Sequence, residues 1–460
     1  MAARLKIAVV GGGWAGMAAA VAATQAGHHA TVLEATDALG GRARALKGTL
    51  PDGAEVTLDN GQHILIGAYS DTLRLMRLVG VEPQQTLLDL PMTLQFPDGC
   101  GIRFPNWPTP LDALGGILAA RGWSLGDKVS LLRAALGWRL QGFTCEASLS
   151  VTELCRGLTP RINAELIEPL CVSALNTPAA QASAGIFLRV MRDALFGATG
   201  GSHLLLPKTD LSALFPQAAA RWIEQQGGQV LRKARVDTLR QEASQSNSAK
   251  PPSWRLSGAG LGAAAETRFD AVIWATSASN TAQALMQYAQ AAPETISKKV
   301  ADWCQTAQAL HYEPITTVYA WSPGARLPLP MLTLRNRAAY PAQFVFDRAA
   351  LGGPVGLLAF VVSASVGDRA SLQAQVLAQA QAQLGLTLQP VQTVVEKRAT
   401  FACTPGLQRP APQIAPGLLA CGDYVAGPYP ATLEGAVRSG VDAVRLFDAG
   451  THDWHPPRQV

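Results

Sequence analysis

Three glycines spaced as Gly11-x-Gly13-x-x-Gly16, with Glu34 downstream, are the first residues in the chain whose types and spacing could do chemistry. Gly11 permits a tight turn, Gly13 lets backbone approach a pyrophosphate, and Gly16 lets a helix lie close to a sheet. N–H groups at the helix start, around Trp14 and Ala15, face the phosphates. Glu34 can accept hydrogen bonds from both ribose hydroxyls of an adenosine and repels a 2′-phosphate. The triplet alone is a weak signal, equally at home in a glycine-rich turn of another α/β sheet. Here a short apolar strand (Ile7, Ala8, Val9, Val10) runs into it, and a helix and a second strand ending at Glu34 follow. That is the order of parts a dinucleotide site needs.

Two further clusters choose the dinucleotide. Gly40-Gly41-Arg42, with Arg44 beside it, begins shortly after Glu34. A paired glycine lets the chain double back over the pyrophosphate, and an arginine fork can hold phosphate or shield a flavin. Nicotinamide enzymes have no regular use for such an element, whereas flavoproteins do. At the far end, residues 418–421 read as a buried strand running into Gly422-Asp423, with a helix over about 431–446. Asp423 is placed to accept from a ribityl hydroxyl, and Thr432, Leu433 and Glu434 begin a helix whose positive end faces the flavin ring. Gly435, Ala436, Ser439 and Gly440 keep that helix thin. The expected cofactor is therefore FAD, held by both ends of the chain.

A site of this kind needs one discontinuous domain with the remainder inserted into it. Residues 1–70, 201–279 and 394–460 are the expected FAD-binding domain, and residues 71–200 and 280–393 the substrate-binding domain. The first cofactor piece ends in Leu58-Asp59-Asn60-Gly61-Gln62-His63, which delivers polar groups beside a glycine. Residues 71–200 are mostly helical, since Ile162, Leu166, Leu170 and Ala174, then Phe187, Val190, Met191 and Ala194, recur at helical spacing. Residues 229–239 read as a strand returning to the cofactor domain, in which Val236 either gives backbone contacts to adenine or is a plain sheet position. Residues 241–253 read as a solvated hairpin loop. Residues 269–275 form a buried strand whose end, Ala275-Thr276, passes near the dinucleotide. Strands near 315–321, 342–346 and 356–362 and a surface helix over 372–384 complete the second piece.

With 460 residues, 48% apolar content and 15% charge, the chain has material for two packed domains. A net charge of +5 without basic runs argues against nucleic acid as the ligand. Seven cysteines without a C-x-x-C pair point to thiols in a reducing cytoplasm, with neither disulfides nor a metal site. No apolar window reaches the length of a membrane span, so a soluble or peripheral protein is expected.

These residues resemble the two-domain FAD flavoproteins that include monoamine oxidases and carotenoid desaturases, and more narrowly the squalene-associated hydroxysqualene dehydroxylases. The resemblance spans nearly the whole chain. It is close in Asp59-Asn60-Gly61-Gln62-His63, in Glu168-Pro169-Leu170-Cys171 with Ala174-Leu175-Asn176-Thr177, and in Leu206-Pro207-Lys208. It is equally close in Gly422-Asp423-Tyr424 and in the run from Pro430 to Gly440. Gln62-His63 and Leu175-Asn176-Thr177 tilt it to the squalene branch. The resemblance implies an α/β fold: a Rossmann-like FAD-binding domain of the amine oxidase and carotenoid desaturase type, with an inserted α+β substrate domain. It also implies squalene and hopanoid synthesis, in which the hydroxyl of hydroxysqualene is removed using reduced FAD to give squalene, with an unidentified electron donor reducing the FAD.

Removing an allylic hydroxyl needs a proton donor, a dry tunnel for the isoprenoid and a flavin face open to that tunnel. His63 is the first candidate for the donor, against a structural hydrogen bond to flavin or backbone. Glu434 and Tyr69 follow, Glu434 with the alternative of capping its own helix. Trp107, Trp123 and Trp138, with Leu111, Leu114, Ile117, Leu118, Leu131, Leu132 and Leu136, form an apolar helix-prone stretch. It either rests in a membrane interface and admits a lipid, at the inner face of the cytoplasmic membrane, or packs inside the substrate domain. Three rivals stand beside this reading. A carotenoid or squalene desaturase runs the flavin in the opposite direction. A flavin amine oxidase is the second, although Cys403 does not match a flavin attachment site. A lipid-binding module that has lost FAD is the third, opposed by the intact Gly11 to Glu34 fingerprint.

Overall fold

Ile7, Ala8, Val9 and Val10 are buried on both sides, and the cofactor sheet is assembled around them. The computed structural model describes residues 4–197, 199–242 and 253–448. Strand β1 (Lys6–Val10) pairs in parallel with β2 (His29–Glu34) on one side and with Ala271–Trp274 on the other. Gln229–Arg232 adds outside β2, and Leu418–Ala420 adds outside 271–274, both parallel. Gln413–Ala415 closes the far edge antiparallel. Near-continuous apolar runs are what a parallel sheet covered on both faces requires. The register aligns Val10 with Leu33 and with Trp274, and Trp274 with Ala420. Strands from three remote parts of the chain thus end along one edge, where an open α/β sheet binds its ligand.

Helix α1 (Trp14–Gln25) is rich in alanine and buried from Trp14 to Val21. It lies between the sheet and the C-terminal helix Leu433–Asp448. A Cβ on Gly440 would sit 2.3 Å from the Ala15 carbonyl oxygen and 2.8 Å from the Ala19 nitrogen, so the helices meet backbone to backbone. Small residues at this crossing are a packing requirement.

The expected strand over 229–239 is two strands. Lys233 adopts a left-handed φ of 57° and turns the chain out of the parallel sheet. Arg235–Glu242 then pairs antiparallel with Ser253–Ala259 in a separate hairpin, which carries Val236. Residues 243–252, most of the expected hairpin loop, lie outside the described residues.

The second sheet is antiparallel, in the order Met331–Thr333, Phe344–Asp347, Leu357–Ser363, Tyr312–Trp321, Gln389–Phe401. Its last strand runs unbroken past residue 393, where a domain boundary was expected. Alternation splits its side chains in two. Val318, Val345, Phe360 and Val362 pack under the helix Arg369–Leu384 with Leu372, Val376 and Ala380, while Tyr319, Phe344, Phe346 and Val361 belong to the main core on the opposite face. Along the chain between β2 and Gln229–Arg232 come α2 (Ser70–Leu78) and the helices Leu111–Ala119, Leu125–Leu140 and Ala184–Phe196. A run from Pro160 to Leu175 contains a π turn at Asn163–Ile167 and ends at Asn176 with φ 44°. The tryptophan stretch divides: Trp123, Trp138, Ile117 and Leu131 are buried, whereas Trp107, Leu111, Leu114, Leu118 and Leu136 are exposed.

Candidate active site

A cavity of about 1200 Å³ is walled by the ligand edge of the parallel sheet and the inner face of the antiparallel one. It exceeds the roughly 1,000 Å³ upper range of a single-ligand pocket, so it has room for more than one molecule. Every residue expected to hold the cofactor lines it except Gly16 and Glu434.

At the glycine loop, Gly11 has φ +112°, and a Cβ there would lie 2.8 Å from the Ala275 oxygen. Gly16 sits behind the loop, where a Cβ would come within 2.0 Å of the Gly11 oxygen. Its role is the helix-to-loop contact. Gly13 caps α1, and no acidic side chain occupies the first turn. The first N–H groups of a helix have no partner within it, so the positive end of α1 meets the cavity beside Trp14 and Ala15. Gly40 donates its N–H to the Gly12 oxygen at 2.9 Å, and the Trp14 indole donates to the Ala43 oxygen at 3.0 Å. The paired-glycine loop is thereby laid over the first one. A bare, electropositive cradle of this shape fits a pyrophosphate.

Glu34 is braced: Oε2 accepts from the Gly12 N–H at 2.7 Å and Oε1 from the Thr36 N–H and hydroxyl at 2.8 Å each. A carboxylate has about four acceptor positions, so this leaves capacity for a ribose hydroxyl. Arg42, expected to reach phosphate or flavin, instead donates to Asp423 Oδ1 at 2.5 Å and to the Ala399 oxygen at 2.6 Å. Asp423 therefore spends one oxygen on the protein. Thr432 Oγ accepts from the Gly435 N–H at 2.9 Å and caps the C-terminal helix, whose start, with Leu433, lines the cavity. Val236 and Ala275 lie in the wall with Asn280 and Gln283.

The three proton-donor candidates fare differently. Glu434 is wholly buried and does not reach the cavity. Its oxygens accept from the N–H groups of Asp71 and Thr72 and from the Thr72 hydroxyl, and pair with Arg438 at 2.7 Å. It caps α2, a different helix from its own, and is withdrawn as a donor and as a cofactor ligand. Tyr69 lines the cavity, but burial and then the charge of Glu434 push its phenol well above the usual value, so it can offer a hydrogen bond and is a weak acid. His63 lines the cavity with Nδ1 2.9 Å from the Gly61 oxygen. A carbonyl only accepts, so Nδ1 carries the proton and Nε2 is the acceptor in the neutral ring. Burial lowers the imidazole below its ordinary value, and Arg42 adds to this against the Gly61 bond. The lowering from the ordinary 6.5 favours the neutral ring near pH 7, so the charged form a donor needs is the minor one.

Sequence reasoning missed what lies under Gln62. Arg348, buried, donates to Gln62 Oε1 at 2.9 Å and stands 4.0 Å from Asp59. Burial raises the Asp59 carboxyl to about 6 despite the Leu211 N–H and Arg348. Tyr319 donates its hydroxyl to the Asp59 backbone oxygen at 3.0 Å. The one sequence signal for Arg348 was a charge directly after the apolar strand that ends at Asp347. The antiparallel sheet gives the wall Ile315, Phe344, Phe346, Val361 and Val394 together with Ser363, Glu396 and Thr400, and the helix Glu168–Leu175 adds Val172, Ser173 and Leu175. Among the described residues no cluster of His, Cys, Asp and Glu is placed to hold a metal, and no helix is long and apolar enough to cross a membrane.

The family model described as flavin containing amine oxidoreductase matches residues 14–446. A hydroxysqualene dehydroxylase of Sinorhizobium fredii is 25% identical over 480 residues, covering 95% of this chain and 97% of that protein. Another, of Rhodopseudomonas palustris, is 26% identical with the same two coverages. Among solved structures, cyclohexylamine oxidase from Brevibacterium oxydans aligns over 97% of this chain and 99% of its own at a TM-score of 0.67 and 15% identity, a likeness of fold.

Proposed function

The chain belongs to the flavin containing amine oxidoreductase family and is a flavin oxidoreductase, and we propose that its cofactor is FAD and its reaction the reductive removal of the hydroxyl of hydroxysqualene to give squalene. End-to-end similarity to two hydroxysqualene dehydroxylases carries this reading. The apolar side chains that the antiparallel sheet gives the cavity, Phe344, Phe346 and Val361 among them, support it, since a long isoprenoid has no polar group to satisfy except its one hydroxyl.

The residues present fit the cofactor. Gly11, Gly13, Gly41 and the start of α1 would take the pyrophosphate, Glu34 the adenosine ribose, and Asp423 with the start of the C-terminal helix the flavin end. When bound and reduced, the flavin supplies a hydride. The chain's own task is to bind the isoprenoid against Phe344, Phe346 and Val361, to exclude water, and to deliver one proton to the leaving hydroxyl. In sum, hydroxysqualene, a proton and a hydride give squalene and water. His63, the one imidazole among the described residues of the wall, would give that proton from Nε2 of its minor imidazolium form, protonated from solvent before the isoprenoid closes the site. Gly61 fixes its tautomer and Arg348 anchors the neighbouring Gln62.

A second reading has one observation in its favour. A neutral His63 with an accepting Nε2 suits proton removal, the step a carotenoid or squalene desaturase needs. Incubating the protein with FAD, a reductant and hydroxysqualene, and separately with oxidised FAD and squalene, distinguishes the two by mass spectrometry of the products. Squalene in the first tube supports dehydroxylation, and a product two hydrogens lighter than squalene in the second supports the rival. The same reading places the protein in the cytoplasm, at the inner face of the membrane that dissolves its substrate, and calls for an electron donor.

A further inference from the structure

Large apolar side chains are not scattered over this surface. Eleven are exposed among the described residues, and eight of them fall between Trp107 and Leu140. On the helix Leu125–Leu140, Leu125, Val129, Leu136 and Leu140 follow spacings of four, seven and four, which at 3.6 residues per turn puts them on one stripe. Leu125 and Leu140 are 82% and 79% exposed. The opposite side of the same helix is already spent, with Asp127, Leu131 and Trp138 buried in the protein. A helix apolar on two opposed faces, only one of them covered, has an unpartnered second face.

The neighbouring helix Leu111–Ala119 extends the surface with Leu111, Leu114 and Leu118 at the same kind of spacing. Trp107 lies against it: a Cβ on Gly115 would come 2.6 Å from the Trp107 ring. Lys128 donates to the Leu118 oxygen at 2.7 Å and ties the two helices together.

Charge says what covers this face. Of the charged residues in 103–140, Arg103, Arg121, Arg133 and Arg139 are exposed and Lys128 is half-buried, whereas the two acids, Asp112 and Asp127, are buried. Arg133 flanks the leucine stripe on one side and Lys128 and Arg139 on the other. An apolar face with an aromatic residue, edged by cations and without an exposed acid, matches an anionic phospholipid surface. The surface also connects to the cavity. Asp127 accepts from Thr159 at 2.5 Å and Glu165 from the Trp123 indole at 3.0 Å, fastening this helix to the run that continues into Glu168–Leu175 and its cavity-lining Val172 and Leu175.

We infer that the exposed face of the helices Leu111–Ala119 and Leu125–Leu140 docks on an anionic bilayer and loads the lipid substrate from it. Docking stands on the surface alone; loading rests on the isoprenoid reading above.

Flotation of the purified flavoprotein with vesicles of phosphatidylcholine, with and without phosphatidylglycerol, tests the docking. Wild-type protein should float with the phosphatidylglycerol vesicles and be released by salt. Leu125→Glu and Leu136→Glu should each weaken partition by about tenfold, the scale of one buried leucine. Val366→Glu, at an exposed site far along the chain, should leave it unchanged. Both leucine variants should convert detergent-dispersed hydroxysqualene at the wild-type rate and lose turnover only when the substrate is in vesicles. Failure of wild type to float, floating that the leucine variants share in full, or a wild-type dimer that they dissolve in place of vesicle binding would each overturn the docking. A wild-type protein that floats but never consumes hydroxysqualene would keep the surface and remove the reaction.

Discussion

Arg42 and Asp423, 381 positions apart, share a 2.5 Å hydrogen bond in the wall of the cavity. The contact joins the paired-glycine loop that follows β2 to the turn that precedes the C-terminal helix, so the two ends expected to grip one cofactor also grip each other. Arg42 is more than a third exposed, which limits the pair to about 1 kcal/mol of global stability. Its larger effect should fall on the site it shapes.

Asp423→Asn should keep the fold, change the melting temperature little, and lower flavin retention about tenfold, on the scale of one charge-assisted hydrogen bond. The ratio of flavin to protein absorbance after gel filtration measures this. Full retention would separate the ion pair from cofactor binding.

The pH dependence of turnover tests the role proposed for His63. Its protonated fraction is small at neutrality because burial lowers its pKa. If it gives the proton, the rate climbs as pH falls through that lowered value, below the ordinary 6.5, and His63→Gln removes this acid limb while retaining flavin. If it takes a proton, as in a desaturase, the rate climbs with rising pH. A pH–rate profile of both proteins reads the sign.

How much of this was legible beforehand depends on the range of the interaction. Gly11, Gly13 and Gly41 act through backbone geometry that spacing encodes, Glu34 through a carboxylate held by its near neighbours in sequence and by Gly12, and all four line the cavity. Thr432 at the start of its helix was equally local. Glu434 was misread because its partners, the first N–H groups of α2, are more than 360 residues away. Capping of its own helix was the only alternative visible in sequence. Arg348 under Gln62 was missed for the same reason, since the two are 286 positions apart and meet through a loop and a 3-10 turn. The strand over 229–239 was drawn too long because a left-handed lysine at 233 leaves no mark in an apolar pattern.

Glu434→Gln should lower the melting temperature, with a loss of about 1–3 kcal/mol from the first turn of α2 and the Arg438 pair, and leave the chemical step intact. Thermal denaturation followed by turnover of the folded fraction checks it. A folded variant without turnover would return Glu434 to the catalytic list.

Asp59 links stability to pH with an unusual sign. Its folded pKa of about 6 lies above the ordinary 3.8, so between these values the native state holds a proton that the unfolded chain has released. Stability from this group is therefore present below about pH 4 and lost as pH rises to about 6, by about 3 kcal/mol. Asp59→Asn should flatten that part of the stability curve, measured as urea midpoints across the range. An unchanged slope would contradict the buried-carboxyl account.

The central claim is that a flavin held between the two ends of this chain reduces a hydroxylated isoprenoid. A single turnover tests it most directly: protein reduced and held without oxygen, then mixed with an equivalent of hydroxysqualene. The account predicts return of the oxidised-flavin absorption band together with one squalene per flavin. A band that stays bleached, with hydroxysqualene recovered unchanged from protein that still holds its flavin, would contradict it.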